Sequence, residues 1–119
     1  SRRWCQENFV SHRSMSRAVE LKQRMEATLK RIVPSITSVG SVNGDVNKLC
    51  RCITASYFMN AAYLHHSGVY RNVRSDEELT LHPTSALCGE KLRPWVLYVE
   101  VSQSDKLYMR FVTPIEAEW

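Results

Sequence analysis

Leu81-His82-Pro83-Thr84-Ser85-Ala86-Leu87, then Pro94-Trp95-Val96-Leu97-Tyr98-Val99-Glu100, then Lys106-Leu107-Tyr108-Met109-Arg110: these three stretches decide the fold of this chain. Trp95, Leu97, Val99 and Val101 alternate with Val96, Tyr98 and Glu100, the period of two expected of a strand with one buried face. Leu107, Met109 and Phe111 alternate with Tyr108, Arg110 and Val112 in the same way. Ser102 to Asp105 separates the two runs and predicts the turn of an antiparallel hairpin. Leu79 to His82 predicts another strand. Pro83 has no backbone N–H, so it ends the pairing of that strand or confines it to an edge. The same period reaches back to Gly68: Val69 to Arg74 predicts a strand, and Asp76-Glu77-Glu78 the turn after it.

Before Gly68 the pattern is helical. Trp4 to Val10 is expected to be the end of a helix, and Ser14 or Ser16 to cap the next. Ala18, Leu21, Met25, Leu29 and Ile32 then step by three and four along one face until Pro34. Ser35 to Gly44, rich in Ser, Gly and Asn, is expected to be a loop. Asp45 predicts the cap of a third helix with a wide apolar face of Val46, Leu49, Cys50, Ile53, Tyr57, Phe58 and Ala62, packed on the strands that follow. Helices followed by four or five short strands predict an α+β chain built on a small antiparallel barrel. The expected division is a helical extension over 1–34, a loop over 35–44, and the barrel with its leading helix over 45–119.

The 119 residues suffice for one domain, or a small domain with a helical appendage. No apolar run approaches the ~20 residues of a membrane span, so no membrane association is expected. No segment has the order of a signal peptide, and the opening Ser1-Arg2-Arg3-Trp4 suggests an excised piece. A formal net charge of +4 permits a nucleic-acid partner without requiring one. Arg2, Arg3, Arg13, Arg17, Lys22, Arg24, Lys30 and Arg31 crowd ahead of Pro34, which reads first as a solvated helix face. Of the four cysteines, Cys50 and Cys52 sit in the apolar helical pattern and are expected to be buried and reduced. No C-x-x-C pair occurs and no metal site is expected, so free thiols in a reducing, intracellular compartment are the reading. His65-His66 is read as a solvated pair at a helix end, its rings pointing apart.

No catalytic residue is expected. The sequence holds no G-x-x-x-x-G-K-S/T loop for a nucleotide, no G-x-S-x-G elbow and no H-E-x-x-H pair. Glu77 and Glu78 are neighbours in a turn, so their carboxylates diverge. His82 at a strand end is read as structural, its ring nitrogens holding the turn through Thr84 and Ser85. Single-stranded nucleic acid is bound by cations for phosphates and aromatic faces for bases. Lys106, Tyr108 and Arg110 supply these on the hairpin, and Tyr70, Arg71 and Arg74 on the first strand. The same residues also suit a barrel rim with solvated strand ends, and spacing alone favours that second reading.

Trp4-Cys5-Gln6-Glu7-Asn8-Phe9, the helix from Arg17-Ala18 to Arg31, Tyr57-Phe58-Met59-Asn60-Ala61-Ala62, Gly68-Val69-Tyr70-Arg71, the His82-Pro83-Thr84-Ser85 segment and the Trp95 strand follow one another in a familiar order. In that order they resemble the C-terminal auxiliary region of DEAH-box RNA helicases, a helical segment leading into an oligonucleotide/oligosaccharide-binding (OB) barrel, and most resemble its splicing-associated members. The resemblance implies a helix over Tyr57 to Ala62. It implies a non-catalytic role in the RNA channel, coupled to the RecA-like motor domains and the ratchet domain of the same protein. It implies no cofactor here, with ATP and Mg handled elsewhere in the parent. The implied partner is single-stranded RNA, through Arg71, Ser104, Lys106 and Tyr108. His82, Pro83, Thr84, Ser85, Trp95 and Arg110 would then be structural, and a nuclear location in pre-mRNA splicing follows. Where the family has two Thr or Ser residues before the hairpin lysine, this chain has Ser104-Asp105, and the aspartate opposes phosphate. Ser56 stands where Gly often precedes the aromatic pair. The rival reading is a docking module for a G-patch activator with little RNA contact.

Overall fold

The computed structural model of the chain describes residues 1–37 and 45–119, so most of the expected 35–44 loop lies outside the described residues. The chain divides into two compact units, Ser1–Gly40 and Ser41–Trp119.

In the first unit, Ser1 caps the short helix α1 (Arg2–Glu7), its hydroxyl accepting the Trp4 N–H at 3.3 Å. The long helix α2 (His12–Ile32) is capped by Ser11, not by Ser14 or Ser16. Ser11 has the extended backbone that lets its hydroxyl reach the Ser14 N–H, at 3.3 Å, whereas Ser14 and Ser16 already lie inside the helix. Lys30 and Arg31 in the last turn complement the helix dipole. The apolar stripe of α2 forms as expected but stays open. Leu21, Met25 and Leu29 are exposed, and with Ile36 they line a shallow groove of about 410 Å³.

The second unit opens with α3 (Val46–Tyr57). Asp45 holds its N-cap position without a side-chain cap bond and lies 3.8 Å from Lys48 Nζ. The wide apolar face is narrower than expected. Cys50 and Thr54 are buried, while Val46, Leu49, Tyr57 and Phe58 are exposed. Cys52 is exposed as well, contrary to expectation. Residues two apart on a helix face different directions, so burial of Cys50 turns Cys52 outward.

The helix expected to run to Ala62 stops at Tyr57. After one 3-10 turn, Phe58–Asn60, the chain extends into β1 (Ala61–Leu64). Alanine favours helix locally, but Ala61, Ala62 and Tyr63 pair with Leu97, Val96 and Trp95, and Ala62 is wholly buried. Tertiary pairing overrides a weak local propensity. The other strands are β2 (Tyr70–Asn72), β3 (Glu78–Leu81), β4 (Trp95–Leu97), β5 (Glu100–Gln103), β6 (Leu107–Arg110) and β7 (Thr113–Pro114). They form one sheet in the order β5-β6-β3-β2-β1-β4-β7. Every pair is antiparallel except β3 with β6. The expected hairpin is present as β5–β6, registered from Glu100↔Arg110 to Gln103↔Leu107.

The single long strand expected from Trp95 is instead two strands joined by a bend. The Tyr98 N–H donates to the Asn60 carbonyl and the Val99 N–H to the Arg110 carbonyl, each at 3.2 Å. Consecutive amides thus reach opposite neighbours, and one segment runs from the β1 side of the sheet to the β6 side. The two-residue alternation fails here, since Val96, Leu97 and Tyr98 are buried in succession. No ladder joins β5 to β7, so strand pairing does not close the sheet. The sheet packs a core of Ala62, Tyr70, Leu79, Leu81, Val96, Tyr98 and Met109. Phe111 breaks the alternation of the last strand. Its φ of 52° turns it outward, and Val112 packs on the core in its place.

Asn72 is the polar hub of this unit. Its Nδ2 donates to Tyr98 Oη at 2.8 Å, and its Oδ1 accepts the Arg74 and Ser75 amides at 2.7 and 3.0 Å. Tyr70 Oη donates to the Arg93 carbonyl at 2.8 Å, and burial pushes its phenol pKa up.

Candidate nucleic-acid interface

The pairing register sorts side chains between two faces of the sheet. Tyr70, Leu79, Leu81 and Met109 point into the core. The residues between them share the outer face: Arg71 lies opposite Glu78, Thr80 opposite Tyr108, and Arg110 opposite Glu100. Tyr63 and Trp95 extend this face across β1 and β4, their rings 6.0 Å apart.

At the hairpin tip, Ser104, Lys106 and Tyr108 come together around Asp105. The Ser104 N–H donates to the Lys106 carbonyl at 3.0 Å and closes the turn. The Ser104 and Tyr108 hydroxyls both donate to Asp105 Oδ1, at 2.9 and 3.1 Å. The Ser104 hydroxyl, then that of Tyr108, with a smaller part from the Lys106 charge, hold the Asp105 carboxyl below its ordinary pKa. The same bond to Asp105 pushes the Tyr108 phenol up. Lys106 is exposed and has no carboxylate within 4.0 Å among the described residues.

Arg71 stands apart from this cluster. Its Nη1 donates to Asp76 Oδ2 and its Nη2 to Glu78 Oε1, each at 2.9 Å. Tyr63 Oη donates to the other Asp76 oxygen at 3.2 Å. The guanidinium is therefore neutralised by two carboxylates, and a phosphate would have to displace them. Glu78 turns to Arg71 while Glu77 accepts from the Ser75 hydroxyl at 3.0 Å, so the two carboxylates do diverge.

The His82-Pro83-Thr84-Ser85 segment is a tight turn after β3. His82 Nδ1 accepts the Thr84 amide at 3.2 Å and lies 2.7 Å from the Thr84 hydroxyl. The His82 carbonyl accepts the Ser85 N–H at 2.8 Å. An Nδ1 that accepts from an amide leaves the proton of the neutral ring on Nε2. The ring meets Tyr108 edge-on at 5.7 Å, which links this turn to the hairpin tip. Trp95 sits on the opposite side of the sheet order, beside Tyr63, away from this pair.

A second turn of the same design went unread in the sequence. His65 Nδ1 accepts the Ser67 amide at 3.2 Å and lies 2.7 Å from its hydroxyl, and the His65 carbonyl accepts the Gly68 N–H at 2.9 Å. The signal was the same His-x-hydroxyl spacing. The reading of His65-His66 as a helix end hides it. The His65 and His66 rings are not splayed, as expected of a helix end, but lie 3.8 Å apart after strand β1. Asn72 was also missed, although an Asn just ahead of a turn is a recognised turn former.

Known proteins of similar sequence bear on this geometry. A family model described as "Oligonucleotide/oligosaccharide-binding (OB)-fold" matches residues 49–119. The chain belongs to the OB-fold family. A human protein named "Probable ATP-dependent RNA helicase DHX35" is 42% identical over 118 residues, covering 98% of this chain and 16% of that protein. The protein of the same name from Pongo abelii is 42% identical over 117 residues, with the same coverage. The Arabidopsis thaliana protein named "Pre-mRNA-splicing factor ATP-dependent RNA helicase DEAH10" is 32% identical over 118 residues, or 99% of this chain. The resemblance to the OB region of DEAH-box RNA helicases therefore holds along nearly the whole chain. The chain spans only 16% of the length of these relatives.

Proposed function

We propose that this OB-fold chain is a non-catalytic accessory domain of an ATP-dependent DEAH-box RNA helicase, contributing to its RNA channel and coupled to its RecA-like and ratchet domains. Work in pre-mRNA splicing or RNP remodelling, with a nuclear location, belongs to this reading, and the name of the Arabidopsis relative, a pre-mRNA-splicing factor, supports its splicing part. The observation that carries the RNA reading is the exposed Lys106 at the tip of a hairpin, beside the aromatic Tyr108. ATP and Mg do not fit the residues present, because the sequence has no glycine-rich phosphate loop. The motor that would use them lies elsewhere in the parent.

The second reading, docking of a G-patch activator, draws on another observation. Tyr57, Phe58, Met59 and Val73 are exposed apolar side chains, and Arg74 reaches back to the Met59 sulfur at 2.8 Å. The deciding measurement is the affinity of the chain for single-stranded RNA as salt is varied. Each phosphate contact contributes about 0.7 to the log–log slope on a single strand. Lys106→Ala is expected to lower the slope by about that amount, and Asp105→Ser to tighten binding by removing a repelling charge. Affinity indifferent to salt and to both changes would leave the docking reading in possession.

A further inference from the structure

The sheet ends on β5 and β7, and only one of these edges is guarded. A free strand edge is a template for pairing with another chain, and shortness, proline or lysine blunts it. β7 is two residues long and contains Pro114. β5 runs over four residues, Glu100-Val101-Ser102-Gln103, with neither proline nor lysine. The bonding along β6 fixes which groups of β5 are free. The Met109 carbonyl accepts the His82 N–H and the Arg110 carbonyl accepts the Val99 N–H, each at 3.2 Å. Met109 therefore faces β3 and Arg110 faces β5; by alternation Leu107 faces β3 and Tyr108 faces β5. Opposite residues of an antiparallel pair either bond to each other or both turn away. Glu100 and Ser102, opposite Arg110 and Tyr108, bond to β6, whereas Val101 and Gln103, opposite Met109 and Leu107, turn their N–H and C=O groups to the open side. Among the described residues neither has a backbone partner on that side. The side chains alternate as well. Val101 stands on the core face opposite Met109, yet it is 42% exposed. Glu100 is exposed on the outer face, and no cation lies within 4.0 Å of its carboxylate among the described residues.

We propose that the open edge of β5 takes an extended peptide strand, paired through the main-chain groups of Val101 and Gln103, with an apolar residue against Val101 and a basic residue against Glu100. In such strand addition the main-chain bonds supply affinity and the alternate side chains supply the choice of sequence. The chemistry of the edge selects this occupant. A polypeptide returns acceptor for donor and donor for acceptor at strand spacing. A phosphate backbone accepts only, leaves the Val101 and Gln103 carbonyls unmet, and is opposed by the Glu100 charge. A second copy of β5 would bring another glutamate where a basic residue fits. The proposal rests on neither the RNA reading nor the activator reading.

The test uses the nitrogen-15-labelled chain of 119 residues and a synthetic peptide alternating lysine with valine. The peptide has about six residues, the usual length of a strand. Before it is added, the Val101 and Gln103 amides are expected to exchange with solvent fast, and those of Glu100 and Ser102 slowly. Peptide at about 1 mM is expected to slow exchange at Val101 and Gln103 about tenfold. Only one edge of the added strand can meet β5. Of two peptides N-methylated on the valines alone or on the lysines alone, one is therefore expected to bind and the other not. This comparison tests the main-chain bonds without altering the protein, and equal behaviour of the two peptides overturns the proposal. Val101→Pro deletes the outward N–H but no bond to β6, and is expected to weaken binding about tenfold, with folding checked by circular dichroism. Glu100→Gln is expected to weaken it about threefold at low salt and less at high salt. No peptide binding at about 1 mM overturns the proposal. Protection of Val101 and Gln103 that rises with chain concentration in the absence of peptide assigns the edge to a second copy and overturns it too. The same protection brought by oligouridylate alone gives the edge to RNA, with the same result.

Discussion

Asp105 sets the electrostatics of the hairpin tip. Two hydroxyls and a neighbouring lysine favour its ionised form, so its pKa is depressed in the folded chain. A depressed carboxyl contributes stability above its unfolded value, and that contribution is lost as pH falls through the lower folded value. The raised Tyr108 phenol acts in the opposite sense: its contribution is complete below the unfolded value and lost as pH rises through the folded one. The tip is therefore intact throughout the neutral range. Asp105→Asn removes the shared charge. In a carbon-13 tyrosine NMR titration, the Tyr108 midpoint is expected to move down toward the ordinary phenol value. A Tyr108 midpoint unmoved by the substitution would mean that the hydrogen bond does not persist in solution. Asn72 shows a different economy at the same scale: one buried amide satisfies two turn amides and a core phenol, so no polar group among them is left bare.

At the scale of elements, the two histidine turns follow one rule. Each follows directly on a strand, at His65 after β1 and His82 after β3, and each uses Nδ1 to take the amide of the residue two further on. An Asn side-chain oxygen makes the corresponding bond in an Asx turn. His82→Ala is expected to lower stability by about 1 kcal/mol, and His82→Asn to recover most of it, as read by urea unfolding. Equal losses in the two variants would show that the ring contributes by packing on Tyr108 rather than by holding the turn. The other decisive element is the bent segment from Trp95 to Gln103. Its composition is that of one continuous strand, yet its two halves serve different ladders. Only the partners on either side, Asn60 and Arg110, account for the bend.

For the whole molecule, the core cluster from Ala62 to Met109 lies within the second unit, while the first unit buries Cys5. Residues 45–119 alone are expected to unfold cooperatively, with stability within about 1 kcal/mol of the full chain. A non-cooperative transition in guanidinium would place the boundary elsewhere. Within the first unit, the α2 face leaves Leu21, Met25 and Leu29 exposed. Much of this organisation was legible in the sequence. The helical period from Ala18 to Ile32, the β5–β6 hairpin and the turn after Leu81 all rest on local chemistry: side-chain spacing, a proline without an N–H, a polar break between apolar runs. The order of motifs pointed to the OB family before any pairing was known. Local chemistry does not extend to partners distant in the chain. Ala61 to Leu64 reads as helix until Val96 is laid beside it. Phe111 reads as core until the backbone flips it outward, and Arg71 reads as a free cation until Asp76 and Glu78 close on it. Composition and period determined the class of fold. Strand pairing and charge pairing across long sequence separations decided which side chains are left to meet a ligand, because those energies exist only once the chain has closed on itself.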